Sequence, residues 1–291
     1  MKKPNFFIIG APKCGTTSLA DWLSKHPQVF MSPDKEPMFF NTDFGNQKTK
    51  SFPAYESLYK DARAEHFAVG EASTFYLNSK LAVEKILRYQ PDAKFIVLLR
   101  KPQEMIVSLH SQAFKGVENQ YDFQKAWMLQ ENRYKGFDLP PFTKHPELFQ
   151  YGERCKLGTQ LTRLYDVAAS DKIHVAFLEE IRVSPDIEFK KVLDFLSLHE
   201  WYPEVFSVKN KRVRIRAKWL KYSLNFLSEM KMRMGVKAPT GLLKNIHQLN
   251  RQRVSSPDIP ECLESVLDRY FFEDIKKVEQ IVGYVPSNWK G

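Results

Sequence analysis

The chain has little of the material that disulfide scaffolds and membrane proteins need. It contains three cysteines, Cys14, Cys155 and Cys262, whose spacing fits neither a zinc site nor a disulfide framework. We therefore expect reduced thiols in a reducing compartment. No segment of the sequence approaches the run of about 20 apolar residues that a membrane span needs, and no internal repeat is visible.

What the chain does have is enough apolar material for one large core. Of its 291 residues, 43% are hydrophobic, which is ordinary for a single α/β domain over residues 1–291. Its 44 basic and 34 acidic residues give a formal net charge of +10. That excess favours an anionic partner, and composition alone leaves open a nucleotide, a sulfated or acidic glycan, a nucleic acid and a membrane surface.

Short apolar runs alternate with segments of helical period, which is typical of a parallel sheet with helices on both faces. The predicted strands are Asn5–Gly10, Gln28–Met31, Ala68–Gly70, Lys94–Leu99 and Ile173–Phe177. The predicted helices are Thr17–Lys25, Ser79–Tyr89, Gln103–Phe114, Phe123–Gln130, Cys155–Ala169, Ile187–Leu196 and Pro260–Val282. The proline-rich segment from Gly136 to Phe149 is predicted to be a surface loop near the mouth of a site.

A loop of small residues joins the first predicted strand to the first predicted helix. It runs from Gly10 through Lys13, Cys14 and Gly15 to Thr16. A strand, a glycine-bearing loop and a helix N-terminus bind phosphate together, because free backbone N–H groups and the positive end of the helix dipole face one anion. Glycine allows the close approach, since a Cβ would block it. The sequence therefore predicts a phosphate-binding loop.

This loop differs from the Walker A motif, G-x-x-x-x-G-K-[ST]. In that motif lysine follows the second glycine and the next Ser or Thr holds Mg²⁺, whereas here Thr16 follows Gly15 and the lysine is Lys13 inside the loop. The predicted strand Lys94–Leu99 is followed by Arg100 instead of the acidic residue that a metal needs. We therefore expect a nucleotide whose charges are neutralised by protein alone, without a metal.

Three motifs carry a resemblance to one enzyme family. The segment from Lys13 to Ser18 resembles the 5′-phosphosulfate loop of the sulfotransferases that depend on 3′-phosphoadenosine 5′-phosphosulfate (PAPS). Arg100-Lys101-Pro102, followed by Ser108, is similar to the 3′-phosphate motif of that family. Lys-Glu-Pro-Met-Phe-Phe, from Lys35 to Phe40, resembles a segment of its heparan-type and bacterial branch. The C-terminal half of the chain matches only loosely.

The resemblance implies a fold and an activity. The fold is an α/β, P-loop-like, three-layer arrangement with a central parallel sheet flanked by helices. The activity is transfer of the sulfuryl group of PAPS to a hydroxyl, or as second choice an amine, on an unidentified acceptor for which carbohydrate is favoured. Such a transfer is an in-line displacement, so the protein must position the two partners and stabilise charge.

The resemblance also assigns residues to the nucleotide. Those expected to hold the 5′-phosphosulfate are Lys13, Cys14, Gly15, Thr16, Thr17 and Ser18. The ammonium of Lys13 would lie at the bridging oxygen, while the three hydroxyls also suit ordinary helix capping. Arg100 and Ser108 are expected to grip the 3′-phosphate, since arginine offers a planar fork to phosphate oxygens. Lys211 and Arg212 are weaker candidates for that phosphate, because their basic stretch suits solvent or an acidic acceptor equally well.

The acceptor hydroxyl must also lose a proton. The resemblance assigns this role to Glu36, which precedes Pro37 in an extended or turn conformation. From spacing alone, a surface glutamate in a charged turn is the plainer interpretation. His110, two residues after Ser108, is the alternative base. The remaining histidines show no spacing typical of a metal site.

One position departs from the family pattern. The heparan-type enzymes carry a lysine where this chain has Ala72, which argues against a heparan-like acceptor. The neighbouring Glu71 is left with three interpretations: it orients Lys13, acts on the acceptor, or forms a buried salt bridge. The aromatic residues around these motifs either line an acceptor cleft or pack in the core. They are Phe39, Phe40, Phe75 and Tyr76.

Two other classes of function remain open at this point. A P-loop kinase or nucleotidase would need magnesium, and the missing Gly-Lys-Ser/Thr argues against it. A non-catalytic basic protein that binds nucleic acid or glycan would bind with a steep dependence on salt. We favour the sulfotransferase, with no nucleic-acid partner and no membrane span. The glycan-modifying animal relatives are membrane-anchored, and this sequence shows no such anchor, so we expect a cytoplasmic location for this chain.

Overall fold

The computed structural model describes residues 2–113, 118–141, 143, 145–209, 213–215, 251–253 and 259–290. The chain divides into two compact units. One consists of Met1–Lys209 with Asp258–Gly291, and the other of Asn210–Pro257. The single domain expected over residues 1–291 stays a prediction.

Five parallel strands form the central sheet of the larger unit. They are β1 (Phe6–Gly10), β2 (Val29–Met31), β3 (Ala68–Ala72), β4 (Lys94–Leu99) and β5 (Ile173–Phe177). Their order across the sheet is β2-β3-β1-β4-β5. Every residue of β1 and β3 is buried, as expected for parallel strands covered on both faces. All five predicted strands are confirmed, and β3 continues to Ala72 instead of ending at Gly70.

Helices flank this sheet. They are α1 (Thr16–Leu23), α2 (Phe52–Ser57), α3 (Ala82–Tyr89), α4 (Pro102–Ala113), α5 (Phe123–Met128), α6 (Gln130–Tyr134), α7 (Tyr151–Arg154), α8 (Leu157–Val167), α9 (Leu178–Val183), α10 (Pro185–Leu196) and α11 (Glu261–Val282). The seven predicted helices are all present, with ends that differ by a few residues. The sequence missed α2, α6, α7 and α9, because four to six residues are too few to show a helical period.

The strand order predicts a ligand site at the carboxyl end of β1. β1 lies between β3 and β4, so the chain crosses to opposite sides of β1 and creates a switch point at its carboxyl end. In open α/β sheets ligands bind in the crevice at such a point. The backbone N–H of Ala11 donates to the carbonyl of Leu98 at 2.7 Å, which ties the loop after β1 to the end of β4.

A close approach inside the sheet explains one glycine. A Cβ on Gly70 would lie 2.4 Å from the ring of Phe6, so only glycine lets that ring pack against β3.

In the smaller unit, the structure describes a pair of antiparallel strands, β6 (Val213–Ile215) and β7 (Arg251–Arg253). Lys211 and Arg212 lie outside the described residues.

Candidate active site

The loop between β1 and α1 has the geometry of an anion site. Gly15 is the N-cap of α1 with φ 93°, a left-handed conformation that favours glycine. A Cβ there would also meet the side chain of Leu178 at 2.9 Å. Having no side chain, Gly15 cannot cap the helix. The first-turn N–H groups that begin at Thr16 thus lie at a helix start that a phosphate oxygen can bond.

Lys13 and Cys14 have different roles in the structure of this loop. The backbone of Lys13 is left-handed, with φ 68°, which is uncommon for a residue with a side chain. Cys14 is fully buried, and its Sγ lies 3.5 Å from the carbonyl oxygen of Pro12 and 3.9 Å from Sδ of Met105. Burial raises the pKa of the Cys14 thiol well above its ordinary value. Its side chain is therefore a neutral packing group, and its backbone N–H donates to the carbonyl of Ala11 at 3.3 Å; the role of Cys14 at the nucleotide stays a prediction.

Ser18 links α1 to Lys209. Its Oγ accepts the backbone N–H of Lys209 at 3.0 Å. One turn along, the carboxylate of Asp21 accepts from Oγ of Ser207 at 3.0 Å and lies 3.1 Å from Nζ of Lys209. These contacts bring residues 207–209 against the helix that follows the loop. The Ser18 hydroxyl keeps its own proton for a further bond.

Arg100 connects the second motif to the first. It is 5% exposed, and its Nη1 donates to the carbonyl oxygen of Lys13 at 3.4 Å. Its Nε donates to Glu104 at 3.1 Å, and its Nη2 also bonds that carboxylate. Ser108 is buried one helical turn beyond Glu104, on the same side of α4. Arg100 therefore lies against the loop, and Ser108 lies further along the same side of α4. Their binding of a 3′-phosphate stays a prediction, and Glu104 was missed.

Glu36 is held at the carboxyl end of β3. Thr74 donates its backbone N–H to Oε2 of Glu36 at 3.2 Å, and its hydroxyl lies 3.0 and 3.1 Å from the two carboxylate oxygens. Nζ of Lys35 is 3.5 Å from Oε1, and the Glu36 side chain is 19% exposed. The residues after β3 keep bonding to β1, since the N–H of Ser73 donates to the carbonyl of Ile8 at 3.0 Å. Glu36 therefore lies at the same edge of the sheet as the loop.

The described partners of Glu71 are hydroxyl groups. It is fully buried, and its carboxylate accepts from Tyr55 at 2.6 Å, Ser73 at 2.8 Å and Tyr76 at 3.0 Å. Among the described residues no lysine, arginine or histidine nitrogen lies within 4.0 Å of it, so the salt-bridge interpretation is wrong. Burial raises the pKa of Glu71 to about 7, although the three hydroxyl bonds and the nearby Glu36 also act on it.

His110 is packed into the protein by structural contacts. It is 5% exposed, and its Nε2 lies 2.8 Å from the carbonyl oxygen of Gln120, so this nitrogen carries a proton and donates it. Burial lowers the pKa of its imidazole. Only Nδ1 is left to accept a proton. These features favour Glu36 as the base, and the assignment to either residue stays a prediction.

The aromatic residues divide between core and surface. Phe39, Phe40 and Tyr76 are buried, and Phe39 stacks on Tyr55 with ring centres 4.6 Å apart. Phe75 is the partly exposed member, and its ring lies 5.5 Å from the guanidinium of Arg154. The core interpretation holds for the first three.

The described residues contain no group of three His, Cys, Asp or Glu side chains that could hold a metal ion. Within the same part of the chain, the helices are too short or too polar to cross a membrane.

Comparison with known proteins shows similarity to sulfotransferases. The profile of the family described as a sulfotransferase domain matches residues 3–233. The chain is 34% identical over 128 residues to the membrane-associated sulfotransferase kil1 of Dictyostelium discoideum, covering 43% of this chain and 24% of that protein. It is 31% identical over 147 residues to carbohydrate sulfotransferase 15 of Mus musculus, covering 36% of this chain and 26% of that protein. The matches thus span about a quarter of the length of these curated relatives.

One solved structure aligns with this chain over the whole length of both. The crystal structure of a sulfotransferase from Alicyclobacillus acidocaldarius aligns with a TM-score of 0.75 over 100% of both chains, at 23% identity. This likeness shows a shared fold and confirms the predicted α/β arrangement. Because the family profile covers most of the sequence, the chain belongs to the sulfotransferase-domain family.

Proposed function

We propose that this protein is a sulfotransferase that moves the sulfuryl group of PAPS to a hydroxyl on a carbohydrate acceptor, without a metal and with Glu36 as the base. An amine is the second choice of acceptor group. The observation that carries the proposal is the clamp of Thr74 on the Glu36 carboxylate, at the sheet edge where the loop after β1 begins.

The nucleotide half of the site supports PAPS as the donor. The start of α1 offers backbone N–H groups to the 5′-phosphosulfate, and Gly15 supplies the left-handed turn that precedes them. Arg100 touches the carbonyl of Lys13, so its guanidinium can reach the 3′-phosphate of the same nucleotide, and we assign Ser108, further along α4, to that phosphate as well. Phosphate would compete with Glu104 for the Arg100 guanidinium.

The chemistry assigns one task to each half. Glu36 accepts the proton of the acceptor hydroxyl while that oxygen forms a bond to sulfur. The bond from sulfur to the bridging oxygen breaks, and its electron pair stays on the 5′-phosphate of the departing nucleotide, 3′-phosphoadenosine 5′-phosphate (PAP). Lys13 and the α1 N–H groups stabilise the charge that develops on this oxygen.

Carbohydrate is favoured as the acceptor because the relatives include a carbohydrate sulfotransferase. The alignment covers about a quarter of that protein, so its substrate is not transferred to this chain. Ala72 argues against a heparan-like acceptor. A cytoplasmic location stays a prediction.

The proposal is tested with sulfur-labelled PAPS and four acceptors: unsulfated chondroitin, heparosan, cellobiose and p-nitrophenol. We expect PAP to bind in calorimetry and label to appear in a carbohydrate, with the same rate in EDTA as in magnesium. Absence of PAP binding at millimolar concentration would refute the proposed donor. Loss of transfer in EDTA would refute the metal-free mechanism, and label in p-nitrophenol alone would refute the carbohydrate acceptor.

A further inference from the structure

Two hydroxyls stand between Glu71 and the loop that carries Glu36. Oγ of Ser73 donates to Oε2 of Glu71 at 2.8 Å and accepts the backbone N–H of Met38 at 3.1 Å. The Tyr76 hydroxyl donates to Oε1 of Glu71 at 3.0 Å and accepts the backbone N–H of Phe39 at 3.0 Å. Both hydroxyls are buried with Glu71. The Lys35–Phe40 loop is thus fastened to β3 through a carboxylate that it does not touch.

The direction of these bonds requires a carboxylate. A hydroxyl has one proton to donate. Because the N–H groups of Met38 and Phe39 can only donate, each hydroxyl must accept from the loop and give its proton to the other side. An ionised Glu71 accepts on both oxygens, and Tyr55 adds a third donor at 2.6 Å. An amide of the same shape would present N–H groups to at least one of the hydroxyls, and that hydroxyl would lose its acceptor.

Two consecutive residues, Ser73 and Thr74, hold the backbone next to Glu36 and the Glu36 carboxylate. Ser73 fixes the backbone of Met38, two residues after Glu36, and Met38 takes a left-handed φ of 53°. The next residue, Thr74, bonds the Glu36 carboxylate itself. Pro37 lies between the two attachment points and restricts the backbone further. The position of Glu36 is therefore set from the segment that directly follows Glu71.

We propose that Glu71 is a positioning residue: its ionised carboxylate orders the Ser73 and Tyr76 hydroxyls, which hold the Lys35–Phe40 loop and so fix Glu36 for sulfuryl transfer. This inference rests on the proposed function. Glu71 is fully buried, so we assign it an action through these hydroxyls and none on the reacting atoms.

The surroundings of Glu71 make this positioning dependent on pH. The groups that face it are Tyr55 from α2, Ser73 and Tyr76 after β3, and the Glu36 carboxylate; Tyr59 reaches it through the Tyr55 hydroxyl at 3.1 Å. Burial raises the pKa of Glu71 to about 7. A protonated Glu71 would donate toward one hydroxyl, whose own proton would then lose its acceptor. We therefore expect turnover to decline below about pH 7.

The test compares the isosteric variant Glu71→Gln with Tyr89→Phe. The control removes a tyrosine hydroxyl that bonds Glu56 at 3.2 Å and neither Glu71 nor the loop. Three quantities are measured on the full chain: hydrogen exchange of the peptide that contains Met38 and Phe39, the dissociation constant of PAP, and kcat against pH. Turnover is measured with whichever of chondroitin, heparosan, cellobiose and p-nitrophenol the wild type labels. Tyr76→Phe serves as a second variant if Glu71→Gln does not fold.

We expect Glu71→Gln to speed exchange in the loop, to lower kcat about 10- to 100-fold and to leave PAP affinity unchanged. The decline of kcat below about pH 7 should disappear from the variant. The control should match the wild type in all three. Wild-type kcat, loop protection and pH profile in Glu71→Gln would overturn this inference and leave the proposed function intact. A wild type that binds no PAP and labels no acceptor would instead refute the proposed function, and this inference with it.

Discussion

The two halves of the active site are built from different materials. The half that we propose binds the nucleotide, the nucleotide half, consists of backbone N–H groups at the start of α1 and the permanent cation of Arg100. The half that we propose holds the base, the base half, consists of a buried carboxylate, three hydroxyls and a loop with no regular structure. The positive charge of the nucleotide half does not change with pH near neutrality. The hydrogen-bond order of the base half does change, because it depends on the ionisation of Glu71. Donor binding and proton removal can therefore be disturbed separately.

Glu36→Gln should have the largest effect on rate. Without a base, kcat should fall about 10³-fold, because the amide cannot accept the acceptor proton, while the dissociation constant of PAP stays the same. Single-turnover labelling and calorimetry measure the two quantities. Glu65→Gln is the control, since that side chain is 54% exposed and pairs with Arg63. Full activity in Glu36→Gln would move the base to His110.

Lys13→Ala sharpens the comparison from the other half. Removing the ammonium from the leaving oxygen should lower kcat about 10²- to 10³-fold, with no rescue by magnesium. Lys3→Ala, just before the other end of β1, removes an exposed lysine that lies over the ring of Tyr89 and should leave turnover unchanged. Turnover near the wild-type value in Lys13→Ala would show that charge on the nucleotide is offset elsewhere.

The stability of the base half should vary with pH. The pKa of Glu71 is raised to about 7 from an ordinary 4.5 in the unfolded chain, so the unfolded chain ionises first as pH rises. The contribution of Glu71 to the free energy of unfolding is complete below pH 4.5 and is lost by about pH 7, a decline of about 3 kcal/mol. Urea unfolding at both pH values should show a smaller decline in Glu71→Gln. Equal declines would place the pKa of Glu71 near its ordinary value.

The form of Glu71 that orders the site is therefore the form that costs stability. Such a trade is common where function requires a strained or buried group.

Arg100→Ala and Ser108→Ala should weaken PAP binding to different degrees. Loss of a charged hydrogen-bond donor should raise the dissociation constant about 10- to 100-fold, and loss of a neutral hydroxyl should raise it about 3- to 10-fold. Adenosine 5′-phosphate, which has no 3′-phosphate, is the control ligand and should bind both variants as it binds the wild type. Equal losses for the two ligands would place these residues away from the 3′-phosphate.

The difference between the halves also explains which residues of the candidate site could be predicted from the sequence. The loop after β1 is contiguous, and its glycine and lysine have chemical roles that depend on local geometry, so Gly15 and Lys13 are found from sequence. Arg100 follows a buried strand, which marks the same edge of the sheet. Glu71, by contrast, was weighed as a salt-bridge partner because its hydroxyl donors come from α2 and from a turn, and nothing in sequence shows that Tyr55 and Tyr76 converge. Short helices such as α9 were missed for a related reason, since packing against the sheet decides them.

The most direct test of the account is a crystal structure of the protein with PAP bound. We expect the 5′-phosphate on the backbone N–H groups at the start of α1, the 3′-phosphate on the guanidinium of Arg100, and Glu36 still bonded to Thr74 beside an open cleft that faces the 5′-phosphate. A nucleotide bound away from the β1 loop, or a Glu36 carboxylate turned away from that phosphate, would contradict the account.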